Sequence, residues 1–546
     1  MGETPTHIGT TPGIVAESSE IQPVGDLSST QGTVVSPKRR TWLLLLLVVA
    51  AGTFLRFWML GVKSLWLDEA FSVYAARLPW LEFLRTMWWG EANMAVYYFL
   101  LRGWIHLGDS EFWLRSLSAV FGVAAIPAVY ALGSRFLSRK AGLVAAALLS
   151  IHSFHIHYSQ DLRSYGLLTL LLILSSYAFL AVLDTPERKS PWVLWVVFSA
   201  LSVYAHMFAV LALASQWLVL TPRTVKRLGI AKLLSAGAAI GILAAPMAAV
   251  VIQEHKSQLD WVPKPNLADI SAMFQDLVGA GAAASAVTLR GLVLLILYLV
   301  MWVVALGTVF RARRNPAGGT AASVTVPLLV SWFAFPVAAM IGISFLKPIL
   351  APRYLLMCVP AAVLLAGWGL VAVEESGPRG RLVSWAVLLS MAVLSFWGTW
   401  DHFASFKTYG SDWRGVTQYI LSQQEPGDAV IFYTFTGHRE FAYYAGGERG
   451  AASRISAPAV LFSLPQDHTG IEKRTEPYRR VWFILHHMRS TPVTDAQTDV
   501  IRTALESHFR LTGEREFPGF GVHRGESGKI RVGLYVAASP NQDAVQ

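Results

Sequence analysis

Two adjacent carboxylates are the first residues in this sequence whose type and spacing suit catalysis. Asp68 and Glu69 stand in the otherwise apolar stretch 65–71. Consecutive helical residues point about 100° apart, so the two carboxyl groups are expected to have different tasks. A carboxylate in a low-dielectric setting gains proton affinity, which suits a general base. The spacing fits equally well with two acids that only open a helix and interact with its dipole.

A second polar cluster occupies residues 155–165, between two apolar runs. Its candidates for substrate binding are Tyr158, Gln160, Asp161, Arg163 and Tyr165. A simple ion pair between Asp161 and Arg163 is the alternative. The two histidines of the cluster are two residues apart and do not share a helix face, which disfavours a metal site.

Cations mark a third cluster at Lys347 and Arg353, followed by Tyr354. Together with Arg163 they form a set suited to a phosphate or pyrophosphate at headgroup depth, because arginine makes bidentate contacts with such anions. The alternative is that these basic side chains only extend to the phosphates of membrane lipids and bind no substrate. His206, alone between two apolar runs, is a weaker candidate, since such a histidine is more often packed than a ligand. The three clusters supply a base, a second acid and cations, as in a transferase whose leaving group is a lipid phosphate.

Apolar runs position these clusters. Hydrophobic residues make up 54% of the 546 residues and charged residues 15%, whereas a soluble globule carries about 25% charged residues. A spanning helix needs about 20 mostly apolar residues. Eleven runs are candidates: 41–60, 113–134, 141–157, 164–183, 191–205, 207–221, 231–252, 289–310, 323–346, 354–373 and 383–400.

Basic residues predict the orientation of these runs. Lys38, Arg39 and Arg40 precede the first run and should hold the N-terminus in the cytoplasm. Later basic residues gather in alternate short loops, and this pattern favours two separate spans around His206. An odd number of spans places the C-terminal region and all three polar clusters outside.

The predicted fold class is an α-helical polytopic membrane protein with a small C-terminal α/β domain. Residues 1–37 resemble a disordered cytoplasmic tail, and 38–400 form the transmembrane catalytic part. Its long first extracytoplasmic loop, 61–112, contains a helical pattern from Leu67 to Arg85 that suits the membrane interface. Residues 401–546 form the soluble extracytoplasmic domain. Its predicted helices are 412–421 and 495–509, and its predicted strands are 428–433, 480–485 and 530–537.

Composition also argues against other functions. The net charge of +10 is spread over loops without a basic face, so no nucleic-acid partner is expected. The interiors of most spans contain almost no acidic residue, which disfavours an ion-coupled transporter. A transporter or flippase of lipid-linked sugars is the runner-up, and a silent scaffold presenting 401–546 is a third hypothesis. The single cysteine, Cys358, does not indicate a compartment.

At these residues the sequence resembles the GT-C superfamily of membrane glycosyltransferases. The most similar branch contains the protein O-mannosyltransferases and the lipid A aminoarabinose transferases, and its bacterial members are called glycosyltransferase family 39-like. The resemblance covers about residues 40–400 and rests on three motifs in order: 65–71, 158–165 and 352–355. Asp161 stands where glutamate is commoner. Asp412-Trp413-Arg414-Gly415 is similar to the start of the extracytoplasmic domain of many bacterial members.

The resemblance implies a polyprenyl-phosphate-linked sugar as donor, inversion at the anomeric carbon, and a glycan, lipid or protein acceptor. Asp68 would take the acceptor proton, and Glu69 would orient the acceptor or the motif. Asp161 would position a sugar, while Arg163, Lys347 and Arg353 would stabilise the leaving phosphate. The membrane would be a bacterial inner membrane. No clear metal-binding pattern is present, so dependence on a divalent cation is left undecided.

Overall fold

The computed structural model describes Gly2 and residues 37–89, 92–253, 262–281, 287–314, 320–404, 411–433, 437–446, 459–463, 471–486, 492–519 and 528–538. The predicted disordered tail, 1–37, therefore lies almost wholly outside the described residues. The predicted domain limits stay predictions.

The N-terminal four-fifths of the described chain is helical. Its helices are α1 Pro37–Phe57, α2 Leu67–Arg77, α3 Trp80–Trp89, α4 Ala95–Trp104, α5 Glu111–Phe136, α6 Arg139–Ser150, α7 Ser153–Ser159, α8 Tyr165–Asp184, α9 Lys189–Ala205, α10 Ala209–Leu218, α11 Pro222–Leu228, α12 Ile230–Gln253, α13 Leu267–Leu277, α14 Leu289–Arg314, α15 Thr320–Leu346, a 3-10 helix Pro352–Cys358, α16 Val359–Glu374 and α17 Pro378–Ala404. The predicted helix from Leu67 to Arg85 is divided, because Pro79 separates α2 from α3.

Several of these helices are long and apolar enough to cross a bilayer, so the chain is an integral membrane protein. Among the described residues eight helices meet this test by length and composition, and the pair α6–α7, bent by 62°, would make nine. Each of the eleven predicted spans coincides with helical residues, although 141–157 covers the bent pair α6–α7 and 354–373 begins in the 3-10 helix, and α9 and α10 are short. The predicted number of spans therefore stays a prediction.

The α9–α10 segment nevertheless passes twice between the ends of the bundle. His206, which ends α9, lies against Tyr165 at the start of α8. Gln216 of α10 bonds Ser175 in the middle of α8 at 3.1 Å. Arg227 then reaches the carbonyl of Asp184 at the end of α8. The chain after His206 thus runs beside α8 in the same direction, although only ten of its residues form α10.

Small residues let the central helices pack closely. A side chain at Gly133 of α5 would place its Cβ 2.7 Å from the Cα of Gly142 in α6. In a bilayer, apolar side chains gain little by exchanging lipid for another helix, so helices associate through close backbone packing of this kind. α8 and α16 lie in the centre of the bundle, whereas α1 and α12 lie at its periphery.

The C-terminal part is a small α/β domain. Its elements are α18 Trp413–Gln423, β1 Ala429–Tyr433, α19 Gly437–Ala445, β2 Ala459–Ser463, α20 Ile471–Thr475, β3 Arg480–His486, α21 Pro492–Glu506, β4 Phe509–Gly519 and β5 Gly528–Ala537. The sheet order is β2-β1-β3-β5-β4. β1 runs parallel to β2 and β3, while β5 is antiparallel to β3 and β4. One apolar cluster includes Trp413 and Phe441, and the other includes Ile501, so helices cover both faces.

The five elements predicted in this domain are present, and the fold class is confirmed. Phe509 begins β4 instead of ending the last helix. The sequence analysis missed β4 because its residues from Arg510 to Glu516 are exposed and mostly polar, so no apolar alternation marks the strand.

Candidate active site

The two adjacent carboxylates face different surroundings, as their spacing predicted. Both lie in the first turn of α2. The Glu69 side chain has no exposed surface, whereas 23% of the Asp68 side chain is exposed. The same pair therefore provides one sealed acid and one acid that a ligand can reach.

Glu69 forms a buried, bidentate ion pair with Arg115 of α5. The Arg115 Nε donates to Oε1 at 2.7 Å, and Nη2 donates to Oε2 at 2.6 Å. The backbone nitrogen of Leu162 also donates to Oε1, at 2.9 Å. Burial is the largest single influence and would raise the pKa of Glu69, but the charge and hydrogen bonds of Arg115, the Lys63 charge and the Leu162 amide together lower that pKa. Glu69 was predicted among the catalytic residues; both of its carboxyl oxygens are paired with Arg115, and its role stays a prediction.

Asp68 lies between two arginines that come from distant parts of the chain. Its Oδ2 is 3.8 Å from Nη2 of Arg163 and 3.9 Å from Nη1 of Arg353. Arg163 is further held by Tyr98, whose hydroxyl accepts from Nη1 at 2.9 Å. The Arg353 guanidinium lies over the ring of Trp66, 5.8 Å from its centroid. These Asp68–arginine distances exceed hydrogen-bond length, so Asp68 forms ion pairs with both cations without a direct hydrogen bond to either.

Four aromatic candidates form a continuous wall beside these arginines. The ring centroids of Tyr158 and Tyr165 are 5.1 Å apart, and those of Tyr165 and His206 are 5.9 Å apart. His206 in turn lies 5.1 Å from Tyr354, which follows Arg353. The structure thus brings the second and third clusters and His206 together.

A family model and solved structures resemble this chain. Residues 94–249 match the model of the dolichyl-phosphate-mannose-protein mannosyltransferase family. ArnT from Cupriavidus metallidurans in the apo state is 12% identical, with a TM-score of 0.55 over 90% of this chain and 98% of that one. ArnT from the same organism bound to undecaprenyl phosphate is also 12% identical, with a TM-score of 0.51 over 90% of this chain and 98% of that one. No curated protein matches the chain.

A more distant structure shares the same architecture. The Archaeoglobus fulgidus oligosaccharyltransferase, tethered to an acceptor peptide containing the NVT sequon, is 11% identical, with a TM-score of 0.50 over 92% of this chain and 74% of that one. The structural likenesses give the fold, and the family match adds the enzyme class. The chain is a glycosyltransferase of the GT-C fold.

For two predicted residues of this GT-C glycosyltransferase, Gln160 and Lys347, the structure shows no contact with Asp68 among the described residues, and their predicted roles stay predictions. Gln160 was predicted to bind substrate, but it is buried, and its Nε2 donates to the carbonyls of Arg56 (3.2 Å) and Trp58 (2.8 Å). Its Oε1 lies 3.1 Å from His402 Nε2. Gln160 therefore caps the end of α1. Lys347 is exposed at the end of α15, and no contact within the described part of the chain joins it to Asp68.

Asp161 lies beside the site in a nearly buried position. Burial is the main reason that its pKa is raised to about 7, and the charge of Glu69 raises it further. The positive charges of Lys63, Arg115 and Arg353 act in the opposite direction. A carboxyl group that changes charge near neutral pH suits hydrogen bonding to a sugar hydroxyl in either form.

The sequence analysis missed three residues that shape the GT-C site. Lys63, Tyr98 and Arg115 all contact or electrostatically influence the candidate residues. Arg115 had a usable signal, because it is an isolated charge near the start of the apolar run 113–134. Tyr98 had none, since aromatic residues are common throughout 61–112. Among the described residues no three histidine, cysteine or acidic side chains gather as a metal site would require.

Proposed function

We propose that this chain transfers a sugar from a polyprenyl phosphate to an acceptor hydroxyl on the extracytoplasmic side, with inversion. The observation that carries the proposal is Asp68 between Arg163 and Arg353. Undecaprenyl phosphate is bound to one structure of the same fold, ArnT, and a lipid phosphate suits this pair of cations. A glycan, lipid or protein acceptor and a bacterial inner membrane belong to the same proposal.

Three side chains, Asp68, Arg163 and Arg353, take part in the proposed transfer step. Asp68 accepts the acceptor's hydroxyl proton as that oxygen bonds to the anomeric carbon from the face opposite the phosphate. The bond from this carbon to the phosphate oxygen breaks, and its electron pair stays on the phosphate. Arg163 and Arg353 stabilise the charge that develops there. His206, Tyr158, Tyr165 and Tyr354 form one wall of the donor site.

Replacement of Asp68 by asparagine tests the base. Asp68→Asn is expected to lower sugar transfer by about 10²-fold or more, the size of a general-base contribution. Binding of undecaprenyl phosphate and the melting temperature should stay near those of the wild type. Glu82→Gln, which changes an exposed acid of α3, is the matched control and should transfer normally. Near-normal turnover by Asp68→Asn would refute the assignment.

The orientation is proposed from the distribution of basic residues. Arg135 pairs with Asp184 at 3.1 Å, and Lys140 with Glu374 at 2.8 Å. α5 and α8 begin beside the Asp68 cluster and end near Arg135 and Asp184. Lys140 lies at the start of α6, directly after α5, and Glu374 ends α16. Both pairs therefore lie at the end of the bundle opposite the Asp68 cluster. Basic residues favour the cytoplasmic side, which supports an extracytoplasmic site.

Cysteine labelling tests this orientation directly. Cys358, the only cysteine, is fully buried, so an introduced cysteine can report alone. Ser422→Cys in the C-terminal domain and Ser376→Cys between α16 and α17 are a matched pair of exposed positions. In intact cells an impermeant maleimide should label only the Ser422 variant. Labelling of the Ser376 variant instead would reverse the proposed topology.

A further inference from the structure

The C-terminal domain is fixed to the loop that leads into α2. Arg414 of α18 pairs with Glu111 at the start of α5, with Nη2 2.5 Å from Oε1. The same Nη2 donates to the carbonyl of Gly61 at 3.0 Å. Asp412 accepts from the Ser64 hydroxyl at 3.3 Å. The domain therefore holds the residues directly before the Asp68 motif.

A second contact places α19 along α2. The Arg439 guanidinium lies over the rings of Phe71 and Tyr74, 4.8 and 5.2 Å from their centroids. The hydroxyl of Tyr444 accepts from the backbone nitrogen of Leu65 at 2.7 Å and donates to Glu111 at 2.7 Å. These contacts turn one face of α19 toward the helix that carries Asp68.

Glu440 is an acid on α19 whose hydrogen bonding is incomplete. It is 1% exposed, and its Oε2 has no hydrogen-bond partner among the described residues. Burial, opposed by a backbone hydrogen bond and by Arg439, raises the pKa of Glu440 to about 8, and the nearby Asp68 charge raises it further. At neutral pH the Glu440 carboxyl group is therefore mostly protonated, and its helix packs against the helix that carries Asp68.

An unsatisfied buried carboxyl group is costly for a fold. Leaving such a polar group without a partner costs about 1–3 kcal/mol, and native proteins keep few of them. Departures of this kind concentrate at functional sites. A ligand oxygen at the Asp68 site would supply the missing partner.

We propose that Glu440 binds the acceptor, so that the C-terminal domain completes the active site with the residue that recognises a hydroxyl group of a glycan. The inference rests on the proposed sugar transfer and adds its acceptor side. α19 contacts the chain on both sides of Asp68, at Leu65 and Phe71, so a sugar whose one hydroxyl reacts at Asp68 can bond Glu440 through a second hydroxyl. A serine or threonine side chain offers only one hydroxyl, so the arrangement favours a glycan over a peptide.

Glu440→Leu and Glu440→Gln separate binding from folding. Leucine removes the hydrogen-bonding groups at similar size, while glutamine keeps a donor and an acceptor. The assay uses the full-length protein, a panel of undecaprenyl-phosphate-linked hexoses and pentoses, and octyl mannoside as the acceptor probe. Glu440→Leu should raise the KM for octyl mannoside by about tenfold, the value of one lost hydrogen bond. Its binding of undecaprenyl phosphate and its melting temperature should not fall, and Glu440→Gln should stay near the wild type.

Tyr443→Phe is the control for docking, because it removes only the hydrogen bond from α19 to the Asp109 carbonyl. An unchanged KM in Glu440→Leu, or an equal rise in Tyr443→Phe, would overturn the role of Glu440. If the leucine variant does not fold, Glu440→Met gives the same comparison.

A serine-containing peptide as acceptor tests the glycan class. An effect of Glu440→Leu on the peptide alone would overturn that class. A wild-type protein that binds undecaprenyl phosphate but transfers none of the panel sugars would overturn the proposed function and this inference together. A change confined to octyl mannoside would support both.

Discussion

At the scale of single residues, Asp68 and Glu69 show how neighbours in sequence can have separate tasks. Asp68 is accessible and lies between two cations, whereas Glu69 is sealed and satisfied by Arg115 and the Leu162 amide. The Glu69–Arg115 pair also stabilises the preceding loop, because Arg115 donates to the carbonyls of Leu60 and Lys63. A substitution at each position should therefore change a different measured quantity.

Glu69→Gln should destabilise the protein while Asp68→Asn does not. Breaking a buried ion pair by removing one partner costs about 3–5 kcal/mol, because the other charge stays buried and unpaired. The melting temperature in detergent should fall clearly for Glu69→Gln. Since the folded-state pKa of Glu69 is lowered, its stabilising contribution is present above the unfolded-state pKa and is lost as pH falls through the folded-state value. Equal melting temperatures for the two variants would contradict this division.

Residue types and spacing predicted most of the residues that the structure brings together around Asp68, while the roles of these residues stay predictions. Asp68, Arg163, Arg353 and the aromatic wall were found because polar residues stand out in apolar sequence. Gln160 stands out in the same way, yet its side-chain amide donates to the Trp58 carbonyl just after α1. Glu440 could not be found, because an acid in a soluble domain is ordinary until packing buries it. Sequence identifies unusual residue types, whereas burial and partners decide what those residues do.

At the scale of elements, the break between α6 and α7 positions the second polar cluster. The two helices meet at 62°, so the last carbonyls of α6 lose their helical partners. Arg56 of α1, fully buried, donates to the carbonyls of Leu149 and Ser150 at 3.0 Å each. Its Nη2 also lies 2.9 Å from His155 Nδ1. A buried arginine thus replaces the missing backbone donors.

Arg56→Met should destabilise the bend and weaken donor binding. The unpaired carbonyls of α6 would cost about 1–3 kcal/mol each, and the chain between α7 and α8 that carries Arg163 would lose its support. The expected results are a lower melting temperature and weaker binding of undecaprenyl phosphate. Arg188→Met, at an exposed position before α9, should change neither. Normal stability of Arg56→Met would show that α7 is held by other contacts.

At the scale of the whole molecule, the arrangement combines a helical bundle with a domain that the sequence predicted only in outline. The polytopic fold and the α/β domain followed from apolar runs and strand patterns. Their mutual contact did not, because Arg414 and Glu111 are 303 positions apart and each resembles an ordinary surface charge. Residue patterns report local periodicity, whereas docking depends on tertiary complementarity between separate surfaces.

Charge reversal of the docking pair tests whether the domain and the bundle act as one unit. Arg414→Glu and Glu111→Arg should each loosen the domain, measured as faster proteolytic release of residues 411–546, and each should lower sugar transfer. The double variant restores opposite charges and should recover part of both, with a coupling of about 0.5–3 kcal/mol for groups in direct contact. Recovery will be incomplete, because Arg414 also serves the Gly61 carbonyl and Glu111 also accepts from Tyr444. Strictly additive losses would mean that the pair does not couple the domain to the bundle. Transfer unaffected by release would mean that the acceptor side of the site lies within the bundle alone.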